Sequence, residues 1–148
     1  MNIKSTRKVA TSATPNKACP VVFRGAALRV EVLAFRHPIA GCQLVKGTIE
    51  PGESPGEAAL REFTEESGVL SVRINRHIGI WQSGWRNQVW SFFACSSDAP
   101  LPETWSHDAP DDGGHTFQFF WHPLWAPAHP DQWHMVFRDA LQFIQRTA

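Results

Sequence analysis

Hydrophobic and polar positions alternate in short runs over most of the chain, and only two stretches switch to a helical period. Residues 21–24 and 28–35 are rich in Val, Leu and Phe with Gly25 between them, which predicts two strands or one bent strand. Residues 72–80, 88–94 and 116–121 read as further strands, each bounded by Gly, Ser, Asp or Pro. Trp133, Val136, Phe137, Ala140, Leu141 and Ile144 recur at helical spacing in the terminal stretch, predicting a helix over residues 131–145 with Asp131, after Pro130, as its cap. A second helix is predicted over Pro55–Ser67: Ser54 stands as N-cap, Pro55 at the first helical position, Glu57 completes a capping box and Gly68 is the stop. Strands around one internal and one terminal helix make a mixed α/β or α+β domain.

With 148 residues, 43% of them hydrophobic, the chain suffices for one sizeable core rather than two independent domains. No repeat is visible. The expected division is a flexible polar tail over residues 1–17 and a domain over residues 18–148, although the tail's Ser, Thr and Lys content also fits a transit sequence. No apolar stretch resembles a signal peptide or a membrane span. The only cysteines, Cys19, Cys42 and Cys95, form neither a disulfide framework nor a zinc-knuckle spacing, which points to a reducing, cytoplasmic setting.

Fourteen Lys and Arg balance fourteen Asp and Glu, so no bulk attraction to nucleic acid or anionic membrane is expected. The zero conceals an uneven placement. Up to Val30 every charge is basic, whereas between Glu50 and Glu66 six glutamates face Arg61 alone. On the predicted internal helix Glu62, Glu65 and Glu66 fall within one arc, where like charges cost a few tenths of a kcal/mol. Taken alone this is a solvated acidic face with Arg61 paired to Glu57 or Glu65. Hard divalent cations also ask for such a face, since Mg²⁺ takes one or two carboxylates plus water and phosphate oxygens.

The wider pattern decides between these. Gly47, Glu53, Arg61-Glu62-Phe63, Glu65-Glu66 and Gly68-Val69 fill the nine defined positions of G-x5-E-x7-R-E-U-x-E-E-x-G-U, with U a bulky apolar residue. The chain thereby resembles the Nudix hydrolases, and Phe63 stands where Leu, Ile or Val is commoner. The resemblance implies an α/β/α sandwich with a mixed sheet between helices, and metal-dependent hydrolysis of a nucleoside diphosphate linked to another moiety. It assigns Glu62, Glu65 and Glu66 to a Mg²⁺ or Mn²⁺ site, Glu62 also as a candidate general base. Glu53 and Arg61 support that site, and the backbone carbonyl of Lys46 or Gly47 is a further metal contact. A non-catalytic nucleotide sensor on the same fold is the alternative. Expected partners are small nucleotide substrates, with no stable nucleic-acid complex and no membrane; similar proteins are commonly dimers.

Outside that box, Lys46 is a phosphate candidate, and Arg36 and His37 end a strand just before it. Relatives acting on dinucleoside polyphosphates, diphosphoinositol polyphosphates or capped RNA often carry W-x-x-P-K-G where this chain has Cys42-Gln43-Leu44-Val45-Lys46-Gly47. The Lys-Gly pair is kept while Trp and Pro are replaced. Some relatives place a base or metal ligand downstream, and the acids here are Glu103, Asp108, Asp111 and Asp112, in a segment read as a polar surface loop. No Lys or Arg lies between Asn87 and Phe137, so these acids lack local partners. His107 and His115 flank them as candidate phosphate contacts. Of the seven Trp, Trp90 and Trp121 are expected in the core, and Trp81, Trp85 and Trp105 near loops as base-stacking candidates.

Overall fold

A strand that buries both its faces needs a layer on each side, and the central strand does so. In the computed structural model, which describes residues 13–110 and 113–147, β1 (Lys17–Arg24) is buried at successive positions from Ala18 to Val22. β2 (Glu31–His37) is buried likewise from Val32 to Phe35. Helix α1 (Pro55–Ser67) covers one face and α2 (Met135–Thr147) the other. Cys19, Val21, Val32, Ala34, Trp90 and Phe92 face Val136, Phe137, Ala140, Leu141 and Ile144 of α2. Val22, Leu33, Phe35, Phe117 and Phe119 face Phe63 of α1. The expected α/β/α sandwich is present.

The remaining strands are β3 (Gly41–Gln43), β4 (Gly47–Thr48), β5 (Val72–Gln82), β6 (Val89–Ser97), β7 (Trp105–Ala109) and β8 (His115–Pro123). They follow the order β5-β6-β1-β2-β8-β7, with β3 on β2 and β4 on β1. Among the described residues only β1 and β6 run parallel as paired strands, so the sheet is mixed. β1 and β2 pair only through Phe23↔Val32 and Arg24↔Glu31. Beyond those rungs they diverge: the start of β1 pairs with β4, the end of β2 with β3. The sheet is a fork, and the buried side chains of Leu44 and Val45, between β3 and β4, fill its crotch.

Several sequence expectations are corrected. β1 starts at Lys17, because parallel pairing from Lys17↔Trp90 to Val22↔Cys95 carries the strand through Pro20. Asn16 is tied to Asn87 and Val89, so the fold takes in the end of the expected tail; residues 1–12 of that tail lie outside the described residues. The second expected strand begins at Glu31 because Ala27–Arg29 form a 3₁₀ turn. The supposed surface loop after Pro102 contains β7, whose edge pairing with β8 no local pattern announced. The terminal helix starts at Met135, not Asp131: residues before it are recruited to β3, with Cys42 bridging Trp133 and donating to the Gln132 carbonyl at 2.8 Å. His134 caps it instead, Nδ1 accepting the Val136 N–H at 3.0 Å. Among the described residues no helix is long and apolar enough to cross a membrane.

Candidate active site

The box folds as its local chemistry dictates. Ser54 accepts the Glu57 N–H at 3.1 Å while Glu57 accepts the Ser54 N–H at 2.9 Å, completing the reciprocal cap. Gly68 closes α1 with φ 77°, a left-handed conformation that favours glycine. A side chain there would also collide with His107, 2.6 Å from the site of its Cβ. Trp105 finishes the end, its indole N–H donating to the otherwise unpaired Ser67 carbonyl at 3.0 Å.

Arg61 fastens the loop to the helix. It grips Glu53 through Nε at 2.6 Å and Nη2 at 2.9 Å, the two-pronged geometry that favours Arg over Lys. It also donates to the Thr48 carbonyl at 2.9 Å, to Glu62 at 3.0 Å and to Glu65 at 3.3 Å. The Arg61 guanidinium, with a backbone bond from Glu50, holds the Glu53 carboxyl down at about 2. Glu57 has no part in this network; its carboxylate serves the cap.

Glu66 is buried and Glu62 nearly so, and both line a cleft of about 310 Å³ at the open end of the fork. Burial pushes the Glu62 carboxyl above its usual range, against the lowering effect of hydrogen bonds with Glu66 and Arg61. Two carboxylates side by side in such a cleft repel each other, and a cation between them relieves the repulsion. Gly47 explains itself here: a Cβ at that position would overlap the Glu62 Cγ and carboxyl. Glycine lets the acid lie against the backbone of β4. Glu65 is drawn to the rim by Arg61 and is about half exposed.

This donor set fits a hard divalent ion. Among the described residues no group of His, Cys, Asp or Glu side chains closes into a three-ligand cage. A pair of carboxylates beside a backbone approach is what Mg²⁺-type coordination needs, since such ions keep waters and substrate oxygens in the rest of their shell. A second hollow, between α1 and the end of β7, exposes Glu62, Glu65 and Glu66 to Ala109 and Pro110.

The cleft lining also includes Lys46 and two residues not singled out, Lys17 and Thr48. The Lys17 ammonium donates to Thr48 Oγ1 at 2.7 Å and that of Lys46 to Gln88 Oε1 at 3.2 Å. Burial, then the Lys17 charge, lowers the Lys46 pKa. Phe35, His37, Ala40, Gln43 and Phe117 complete the lining. Lys17 was missed because it carries no motif; the pairing of β1 with β4 is what places it.

Other candidates are not brought to the cleft. Arg36 lies over Phe120 at 4.9 Å and, with Trp105, borders a separate depression. The pleat sends Arg36 to the face opposite Phe35. Trp105 stacks on Phe119 at 4.9 Å, where it packs and caps. Asp108 lies on the face of β7 away from Ala109 and accepts the Thr116 hydroxyl at 2.6 Å. Glu103 does have a partner, distant in sequence: Arg24 grips it at 2.7 and 2.8 Å. Asp111 and Asp112 lie outside the described residues. His107 backs onto Gly68, and the His115 ring meets His37 at 4.7 Å. Trp90 is buried as expected, Trp121 is half-buried beneath Arg24, Trp81 packs edge-on to Trp90 and Trp85 meets His134. The cysteines are free and buried, and burial lifts the Cys95 thiol to about 12, far from a nucleophile's range.

Comparison with known proteins agrees with this geometry. The model of the NUDIX domain matches residues 15–141. An RNA pyrophosphohydrolase of Bartonella quintana (strain Toulouse) is 28% identical over 69% of this chain, which spans 60% of that relative's length. Among solved structures, a UDP-X diphosphatase superposes with TM-score 0.63 at 13% identity, over 99% of this chain and 71% of its own. A C. elegans Ap4A hydrolase gives 0.58 at 19% identity, over 88% and 93%.

Proposed function

The chain belongs to the Nudix family, and from that premise we propose that it is a pyrophosphohydrolase of nucleoside diphosphate derivatives, dependent on Mg²⁺ or Mn²⁺. The observation that carries this reading is the Glu62 and Glu66 pair, one turn apart on α1 and lining one cleft with two lysines. Divalent ions bound there supply charge neutralisation of a pyrophosphate and a more acidic water. Glu62, Glu65 and Glu66 would hold them, with Gly47 in the same lining. Arg61 and Glu53 keep the carboxylates in place. Lys46 meets a phosphate oxygen of the substrate. Water adds to one phosphorus, the bridging P–O bond breaks with its electron pair leaving on the bridging oxygen, and Glu62 is the candidate that takes the water's proton. The products are a nucleoside monophosphate or a shortened polyphosphate.

The curated relative is named for RNA, and the solved neighbours for UDP-X and Ap4A. A balanced net charge favours a brief encounter with a substrate's phosphate end over a stable nucleic-acid complex. The test is product release from a panel of a nucleoside triphosphate, a dinucleoside tetraphosphate, ADP-ribose, a nucleotide sugar and a 5′-triphosphorylated oligoribonucleotide, with either metal. Turnover that vanishes with chelator supports the reading. Tight nucleotide binding without turnover on any member supports the sensor. Glu66→Gln lowers kcat by a factor of at least about 100 while the circular dichroism spectrum is kept; near-full activity in that variant refutes the site.

A further inference from the structure

Three cations gather on one side of the fork's open end, and stability does not explain them. Lys17 and Lys46 line the cleft, Lys46 donates to Gln88 two residues beyond Arg86, and Asn16, next to Lys17, donates to the Asn87 carbonyl, so all three cations belong to one neighbourhood around the β5–β6 turn. Each cation rests on a neutral neighbour: Lys17 on Thr48, Lys46 on Gln88, and Arg86 over the Trp85 ring at 4.6 Å. None of them is in an ion pair among the described residues.

Arg86 carries a second oddity. Within the six-residue connection from β5 to β6, the Gln88 N–H donates to the Trp85 carbonyl at 2.9 Å, closing a turn with φ 50° at Arg86 and 57° at Asn87. Such a turn takes glycine or asparagine at its first central position without steric cost, and a long side chain there is strained. Its position is nonetheless fixed. Asn16 donates to the Asn87 carbonyl at 3.1 Å and accepts the Val89 N–H at 3.0 Å, clamping the turn to the residue before Lys17. A strained, unpaired charge held beside two like charges is the pattern of a site that an anion completes.

The anion must be longer than the scissile diphosphate, whose charge the metal-binding wall already addresses. Resting on the pyrophosphohydrolase reading, we propose that Lys17 and Arg86 extend the Lys46 contact into a rim that selects substrates bearing three or more consecutive phosphates. A diphosphate flanked by two sugars has no group to place there. The shared chemistry is a triphosphate chain, which either a free nucleotide or an RNA 5′ end presents.

The experiment compares kcat/KM for GTP, a 5′-triphosphorylated oligoribonucleotide and ADP-ribose in wild type, Lys17→Gln and Arg86→Gly. The ratio of either triphosphate to ADP-ribose is expected to fall at least about tenfold in each variant, mainly through KM, with no drop in Tm for Arg86→Gly. A fall for GTP alone or for RNA alone identifies which source the rim reads. Equal losses on all substrates, or none, overturn the proposal while leaving the pyrophosphohydrolase reading intact. Binding of inorganic tripolyphosphate and pyrophosphate by calorimetry separates the two failures. If no substrate turns over, tighter tripolyphosphate binding that Arg86→Gly abolishes still upholds the rim, and equal binding of both anions removes it.

Discussion

Glu53 shows how one residue far from any substrate sets the geometry of those near it. Its carboxylate is held in two prongs by Arg61 and accepts the Glu50 N–H at 3.0 Å, so the loop before α1 and the helix share one ion pair. In the folded chain it titrates at about 2 against an ordinary 4.5. A depressed acid contributes stability that is complete above the unfolded value and is lost as pH falls through the folded one. Glu53→Gln is therefore less stable than wild type at neutral pH, and the gap between their urea midpoints closes between about pH 4.5 and pH 2. A gap that persists unchanged at pH 2 assigns the effect to packing instead.

At the scale of elements, α1 was legible to the residue because its signals are local: a capping box, a Pro at its start and a glycine at its end. What holds that helix in place was not legible. Trp105 and His107 of β7 brace its C-terminal end, and β7 exists only through pairing with β8. Trp105→Phe keeps the stack on Phe119 but leaves the Ser67 carbonyl unpaired, a loss of about 1–3 kcal/mol in denaturant titration. The same dependence on distant pairing decides that Arg36 and Trp105 border a separate depression and that Asp108 meets Thr116. Strand membership fixes the phase of the pleat, and a one-residue change of phase sends a side chain to the other face. Lys17 was lost for the same reason in reverse. It reads as the end of a polar tail until β4 and β6 pair with it on either side.

In the molecule as a whole, the fold class and the chemistry-bearing helix were open to sequence reasoning, whereas the shape of the cleft belongs to the sheet. β1 and β2 share two rungs and then part around Leu44 and Val45. Leu44 is about 1% exposed and packs with the α2 layer, Val45 with the α1 layer. Leu44→Ala is expected to cost about 2–5 kcal/mol, and Leu44→Met under about 1.5, each in a single cooperative urea transition. Two separate transitions in Leu44→Ala mark the halves of the sheet as independent units. The replaced Trp and Pro before Lys46 also find an explanation here: Cys42 and Val45 stand at those positions as small, buried parts of the wedge.

The fork also divides labour. Every carboxylate and ammonium lining the cleft comes from α1, β1 or the end of the wedge at β4, while the β2 side contributes Phe35, His37, Ala40 and Gln43. The charged groups of the lining thus stand on one tine, and the other offers it a wall without carboxylates or ammonium groups. On the pyrophosphohydrolase reading, a change of length in the β2–β3 turn reshapes the uncharged wall and leaves the phosphate-facing groups on elements it does not touch.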